Sequence, residues 1–213
     1  MFDALKSMII GPRMTIIRTA SLAAILFLGF CSSAQAAADG SQLELPKRAK
    51  VAIVVFEDLQ CPDCAKAHPE LLQAAKASKV PLVIHDFPIP RHAWAFPAAV
   101  MARYFAAQSP ALGTEFRSFI FQNQHDVNPE NLRNLAEKFA EEHQLQLPAA
   151  VDPDGKLKAA VQADFDLGRQ IGLEYVPLIF VIGRGQGAAH FVEVTDTAQL
   201  GGVIAQMKKG RAR

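Results

Sequence analysis

The sequence predicts an α/β fold in the order βαβ, an inserted block of helices, then ββα. Three observations carry this reading. The run Val51 to Phe56 is rich in valine, isoleucine and phenylalanine with no polar alternation. A pair of cysteines, Cys61 and Cys64, follows it directly. About ninety residues then separate the second strand-like run from the third, far more than an ordinary crossover needs. A run apolar at every position is buried on both faces, so it belongs in the middle of a parallel or mixed sheet. With 213 residues, half of them hydrophobic and 20% charged, the chain has a globular composition and enough apolar surface for one sizeable core.

Residues 1–36 read as a signal peptide. Lys6, Arg13 and Arg18 precede an apolar run from Ala20 to Phe30, and Ala34-Gln35-Ala36 supplies the small residues of a cleavage site. The apolar run is about a dozen residues, short of the roughly 20 that span a bilayer, which favours cleavage after Ala36 over a permanent anchor. Cys31 follows the bulky Phe30, which argues against lipidation. Cleavage removes Asp3, Lys6, Arg13 and Arg18 and takes the formal charge from +1 to about −1, leaving no basic excess for nucleic acid or an anionic membrane. The expected location is periplasmic or otherwise extracytoplasmic. Residues 37–47 form a short linker, and 48–213 form the domain, with the helical insert at about 94–173.

Each element of the domain has its own signal. From Cys61 to about Lys76 the residues are helix formers with Leu71, Leu72 and Ala75 at core spacing, and Pro69 inside that helix should kink it. Pro81 to Asp86 is the second strand. In the insert, Pro97 opens a helix carrying Val100, Met101, Tyr104 and Phe105, and Phe116, Phe119 and Ile120 mark another. Asn128 as N-cap with Pro129 at the first helical position starts a third, through Leu132, Leu135, Ala136 and Phe139. Asp152-Pro153 starts a fourth that runs through Leu157, Val161 and Phe165 to a stop at Gly172. Leu178 to Ile182 and Phe191 to Val194 form a hairpin around the glycine-rich 183–187, and Asp196 caps a final helix with Leu200, Val203, Ile204 and Met207.

The chemistry lies in Cys61-Pro62-Asp63-Cys64. Two residues of spacing close a loop too small to stabilise a fold, so reactivity explains the pair better than stapling. On the first turn of a helix, free backbone N–H groups and the helix dipole stabilise a thiolate at Cys61, and Cys64, one turn on, is placed to resolve a mixed disulfide. Half a metal site has the same spacing. His68, four residues after Cys64, makes a copper(I)-binding module of Cys61, Cys64 and His68 the rival reading, with His85 and His92 as weaker ligands.

The stretch from Phe56 through Cys64, the later Val176-Pro177 and the segment His85-Asp86-Phe87-Pro88-Ile89-Pro90 together resemble the DsbA-like branch of the thioredoxin superfamily, over about Arg48 to Lys208. The resemblance implies a thioredoxin fold with a helical subdomain between the second and third strands. It also implies a protein thiol-disulfide oxidoreductase that forms, reduces or exchanges disulfides in other exported proteins, catalysed by Cys61 and Cys64 without a cofactor or metal. Pro62 and Asp63 support the pair, Pro177 is a cis-proline facing it, and Val176 offers backbone hydrogen bonds to an extended peptide. The implied partners are exported cysteine-containing proteins and a membrane or soluble redox protein that recycles the couple, with the chain acting as a monomer. Two departures stand out. The buried carboxylate that this branch places six residues before the first cysteine is Val55 here, which leaves Glu57 or Asp58 for proton transfer, unless both sit in a solvated loop. Asp63 puts a carboxylate beside Cys61, where it should oppose the thiolate, unless it points to solvent.

Overall fold

A computed structural model of the chain describes residues 38–184 and 189–210; the signal-peptide expectation for residues 1–36 falls outside them. The central strand is β1, Val51–Glu57, every residue of which is buried. Its neighbours explain the all-apolar run. Ile53, Val55 and Val51 pack with Ala67, Leu71, Ile204 and Met207, whereas Ala52, Val54 and Phe56 pack with residues of the insert. Alternate side chains thus feed two cores on opposite faces of one sheet.

The sheet order is β2 (Leu82–Asp86), β1, β3 (Leu178–Arg184), β4 (Ala189–Glu193). β1 and β2 run parallel, joined by helix α1, Pro62–Ser78, and the other two pairings are antiparallel. The register sets Phe56 opposite both His85 and Leu178. Antiparallel pairing therefore brings the start of β3 alongside the exit of β1, so the peptide before Leu178 meets the loop that carries the cysteines.

The insert holds α2 (Ala95–Gln108), α3 (Pro110–Gln122), α4 (Leu132–Glu142) and α5 (Lys156–Gln170), and α6 (Leu200–Lys208) closes the domain. Phe105, Phe116 and Phe139 form its aromatic centre, with Phe105 4.6 Å from Phe116 and 4.9 Å from Phe139 between ring centroids.

Several boundaries differ from the sequence expectations. α2 opens at Ala95, so Pro97 lies in its first turn, where a missing N–H leaves no bond unmade. Regular helix in α4 begins at Leu132, one turn after Asn128. Asn128 nevertheless caps: its Oδ1 accepts the N–H of Asn131 at 2.9 Å while Asn131 Oδ1 accepts the N–H of Asn128 at 2.8 Å, a reciprocal box ahead of the first regular turn. Asp152 likewise accepts the N–H groups of Leu157 and Lys158, both at 2.9 Å, although the residue at the helix boundary is Gly155 with φ +73°. Gly183 is in strand β3, not the turn; a Cβ there would come within 2.5 Å of Met207 Cγ, so the glycine serves the packing of α6 on the sheet. Asp196 caps a 3-10 turn, Thr197–Gln199, that leads into α6. Ahead of the sheet, Asp39 N–H bonds Ile171 O at 2.8 Å and Leu43 is buried, so this part of the expected linker packs against the domain.

Candidate active site

Cys61 is the N-cap of α1, with extended backbone at φ −82° and ψ 123°, and Pro62 occupies the first turn, where its missing N–H costs nothing. Cys64 lies one turn in. Both are free thiols in this structure, and both are buried, Cys61 at 7% and Cys64 at 1% relative exposure. The first cysteine is the more accessible of the two but is not openly exposed. Its Sγ lies 3.7 Å from the carbonyl oxygen of Val176, and the Val176–Pro177 peptide is cis.

The two sulfurs are driven apart electrostatically. The Cys61 thiol is lowered from an ordinary 9.0 to about 6, chiefly by the hydrogen bond from Cys64; burial opposes this, the backbone N–H groups of Cys64 and Asp63 assist, and the charge of Asp58 opposes. Burial and the neighbouring Cys61 push the Cys64 thiol up. One sulfur is thus poised as a thiolate and the other held as its proton-bearing partner.

Asp63 does not act as its position suggested. Its carboxylate points outward, 68% exposed, and pairs with Lys66 at 2.9 Å, while its backbone N–H helps to lower Cys61. The carboxylate that opposes the thiolate is Asp58.

Neither Glu57 nor Asp58 sits in a solvated loop; their exposures are 2% and 1%. Glu57 ends β1 and is held between Arg117, 3.2 Å from Oε1, and His68, 3.2 Å from Oε2. Burial would raise its carboxyl, but the contacts with His68 and then with Arg117 bring it below the usual carboxylate range. The pair belongs to a chain of polar groups that is buried at Glu57, Arg117 and Asp86 and part-buried at Arg103, Asp164 and His85. Arg117 also donates to Asp86 at 2.6 Å, Arg103 donates to Asp86 at 2.6 Å and to Asp164, and Asp164 bonds His85 at 2.7 Å. Side chains of β1, β2, α1, α2, α3 and α5 are tied together directly behind the cysteines.

His68 is buried, at 2%, instead of lying partly exposed on the helix. Its Nδ1 faces Glu57 and its Nε2 faces Ser118 Oγ at 3.1 Å, so both ring nitrogens are committed away from the sulfurs. Among the described residues, no group of three or more His, Cys, Asp and Glu side chains is arranged to hold a metal ion.

Sequence reasoning missed Gln124 and Gln60, which hold the cysteine loop, and the partners of Asp58. Gln124, just beyond α3, donates to the carbonyls of Leu59 at 2.8 Å and Cys61 at 3.0 Å. Gln60 accepts the N–H of Trp94 at 3.0 Å. Asp58 Oδ2 accepts from Ile89 N–H and His92 Nδ1, both at 2.7 Å. The proline-punctuated stretch before the insert was the one available signal for His92; nothing in the sequence marks Gln124.

Two clefts share Asp63, Tyr175 and Val176 in their walls. One, of about 550 Å³, is lined by Cys61, Phe87, Ile89, His92, Phe165 and Val176 among others. The second, of about 460 Å³, lies between α1, the start of β3 and the 194–197 segment that follows β4.

A family model described as thioredoxin matches residues 46–196. Similar solved structures include alpha-DsbA1 of Wolbachia pipientis, at 16% identity and a TM-score of 0.61, covering 80% of this chain and 95% of that one. The thiol-disulfide exchange protein alpha-DsbA2 of the same organism shares 17% identity with a TM-score of 0.59, covering 76% and 83%. BcfH of Salmonella enterica Typhimurium shares 22% identity with a TM-score of 0.62, covering 76% and 72%. No curated protein sequence matches. At these identities the likeness establishes a shared fold, the thioredoxin sheet with its helical insert.

Proposed function

The chain belongs to the thioredoxin family, and from that premise we propose that it is a protein thiol-disulfide oxidoreductase working through Cys61 and Cys64. The observation that carries the reading is the unequal pair itself, a Cys61 thiol lowered to about 6 beside a Cys64 thiol pushed up, at the start of α1 and against the Val176 carbonyl.

In the reducing direction the Cys61 thiolate attacks one sulfur of a substrate disulfide, forms a mixed disulfide and expels the other sulfur as a thiolate. Cys64 then loses its proton and attacks Cys61 Sγ, which closes the Cys61–Cys64 disulfide and releases the second substrate sulfur with its electrons. Oxidation of a substrate dithiol is the same sequence reversed. Val176 O lies beside Cys61, where it can accept a backbone N–H from an extended substrate, and Tyr175, 53% exposed, offers an aromatic contact on the rim.

The substrates in this reading are cysteine-containing proteins outside the cytoplasm, with a separate redox protein recycling the couple. The support is residues 1–36, which carry the three parts of a secretory signal, and no helix among the described residues is long and apolar enough to cross a membrane. Copper(I) binding with His68 has no geometric support, because that ring is bonded to Glu57 and Ser118.

The deciding measurement is the equilibrium of the reduced and oxidised chain against glutathione, together with insulin reduction and oxidation of a dithiol peptide. We expect a reversible two-electron couple and catalysis in at least one direction. A disulfide that does not exchange with glutathione, or a chain inert in both assays, would overturn the reading.

A further inference from the structure

Asp58 bonds both cysteines through its backbone and, through its side chain, His92 in the wall of the larger cleft. Its carbonyl accepts the N–H of Cys61 at 3.0 Å, and its own N–H donates to Cys64 Sγ at 3.4 Å. The carboxylate side chain is fully shielded from solvent. Oδ1 accepts the N–H of Gln60 at 2.6 Å, and Oδ2 accepts from Ile89 N–H and His92 Nδ1. Facing an accepting carboxylate oxygen, Nδ1 of His92 is the donor of that bond. His92 is anchored through its N–H to Ile89 O at 2.8 Å, and its side chain, 17% exposed, lines the cleft onto which Cys61 opens.

We propose that His92 is a positioning residue of the dithiol: its charge, carried through the bond to Asp58, decides how readily Cys61 gives up its proton. The inference rests on reading Cys61 as the nucleophile. With His92 protonated, the buried Asp58 carboxylate is compensated and the thiolate is unopposed. When His92 is neutral, the Asp58 charge acts on Cys61 and favours the thiol, in line with the opposing effect of Asp58 on that sulfur. The other charged or titratable groups lining the cleft are Asp63, Arg91, Arg169, Glu174 and Tyr175. Asp63 is paired with Lys66, and behind Asp58 the side chains of His68 and Arg117 are directed at Glu57.

The test follows thiolate ultraviolet absorbance against pH in the reduced full chain, with His92→Gln, His92→Lys, Asp58→Asn and Asp58→Asn/His92→Gln variants. Expected are a proton affinity of Cys61 raised by about threefold or more in His92→Gln, and no such rise in His92→Lys, whose charge is permanent. Asp58→Asn should lower the affinity and abolish the effect of His92→Gln. An unchanged curve in His92→Gln, a rise equally large in His92→Lys, or an effect of His92→Gln that survives Asp58→Asn would each overturn the inference. Should Asp58→Asn not fold, the two His92 variants alone decide it. A wild-type Cys61 that titrates near an ordinary thiol would instead sink the reading of the active site.

Discussion

At the scale of single residues, the two sulfurs differ by environment and not by chemistry. Cys64 is the more deeply buried, at 1% against 7% for Cys61, so in the proposed reaction a substrate meets Cys61 first. Cys64→Ala should therefore accumulate mixed disulfides on non-reducing gels and Cys61→Ala should trap almost none; the opposite pattern would mean that the order of attack is reversed. The pH dependence has a definite sign. Because folding lowers the Cys61 thiol from 9.0 to about 6, the folded reduced protein binds fewer protons than the unfolded chain between those values. Stability of the reduced protein relative to Cys61→Ala should thus rise with pH from about 6, be complete above the ordinary thiol range, and be lost as pH falls through about 6. Thermal melts of the two reduced proteins at a series of pH values check this, and the alkylation rate of Cys61 should rise through about pH 6 and then level off. Asp63 shows how little adjacency in sequence says about where a charge points, and the structure takes the solvent-facing alternative. A carboxylate adjacent in sequence points to solvent and meets Lys66, whereas Asp58, three residues before Cys61, acts from a buried position.

Among elements, the helices of the insert are packed tightly enough for individual atoms to matter. A Cβ at Gly113 in α3 would lie 2.4 Å from Ala106 Cβ and 2.7 Å from its Cα in α2, and a backbone atom cannot rotate away. Gly113→Ala gains up to about 1 kcal/mol of helix propensity, but prising the helices apart costs about 1–3 kcal/mol, so a net loss is expected. Gly202→Ala in α6, where nothing lies within 4 Å, should be neutral or stabilising, and melting the two variants side by side separates packing from propensity. Arg117 links α3 to β1 and β2 through Glu57 and Asp86. Its replacement by methionine leaves two buried carboxylates without their shared cation, and a loss of about 3–5 kcal/mol in urea unfolding is expected. The sequence showed the elements themselves clearly, because apolar periodicity and caps such as Asn128 and Asp196 are local signals. It could not show the ion chain from Glu57 to His85, whose members lie as far apart as Glu57 and Asp164 and become partners only when the sheet and insert have come together. The same limit hid Gln124: one glutamine among many polar residues carries no mark of the carbonyls it will meet.

For the molecule as a whole, the stabilised thiolate belongs only to the reduced, folded state, so it shifts the balance between the redox forms. The reduced protein is expected to melt above the oxidised one. The couple should lie between the strong-oxidant value of about −120 mV and the thioredoxin value of about −270 mV, because the helix start and the Cys64 thiol stabilise Cys61 while burial and Asp58 oppose it. A potential at either end would show that one of these effects had been misjudged. The grip of Gln124 on the carbonyls of Leu59 and Cys61 has a consequence for assembly. A chain in which only β1 and α1 had formed would already have the helix start that lowers Cys61, but the loop from Leu59 to Cys61 would lack the side chain that pins its carbonyls. The aim of the sulfur is therefore fixed only once the end of α3 has docked, so the orientation of the dithiol depends on the insert even where its acidity does not.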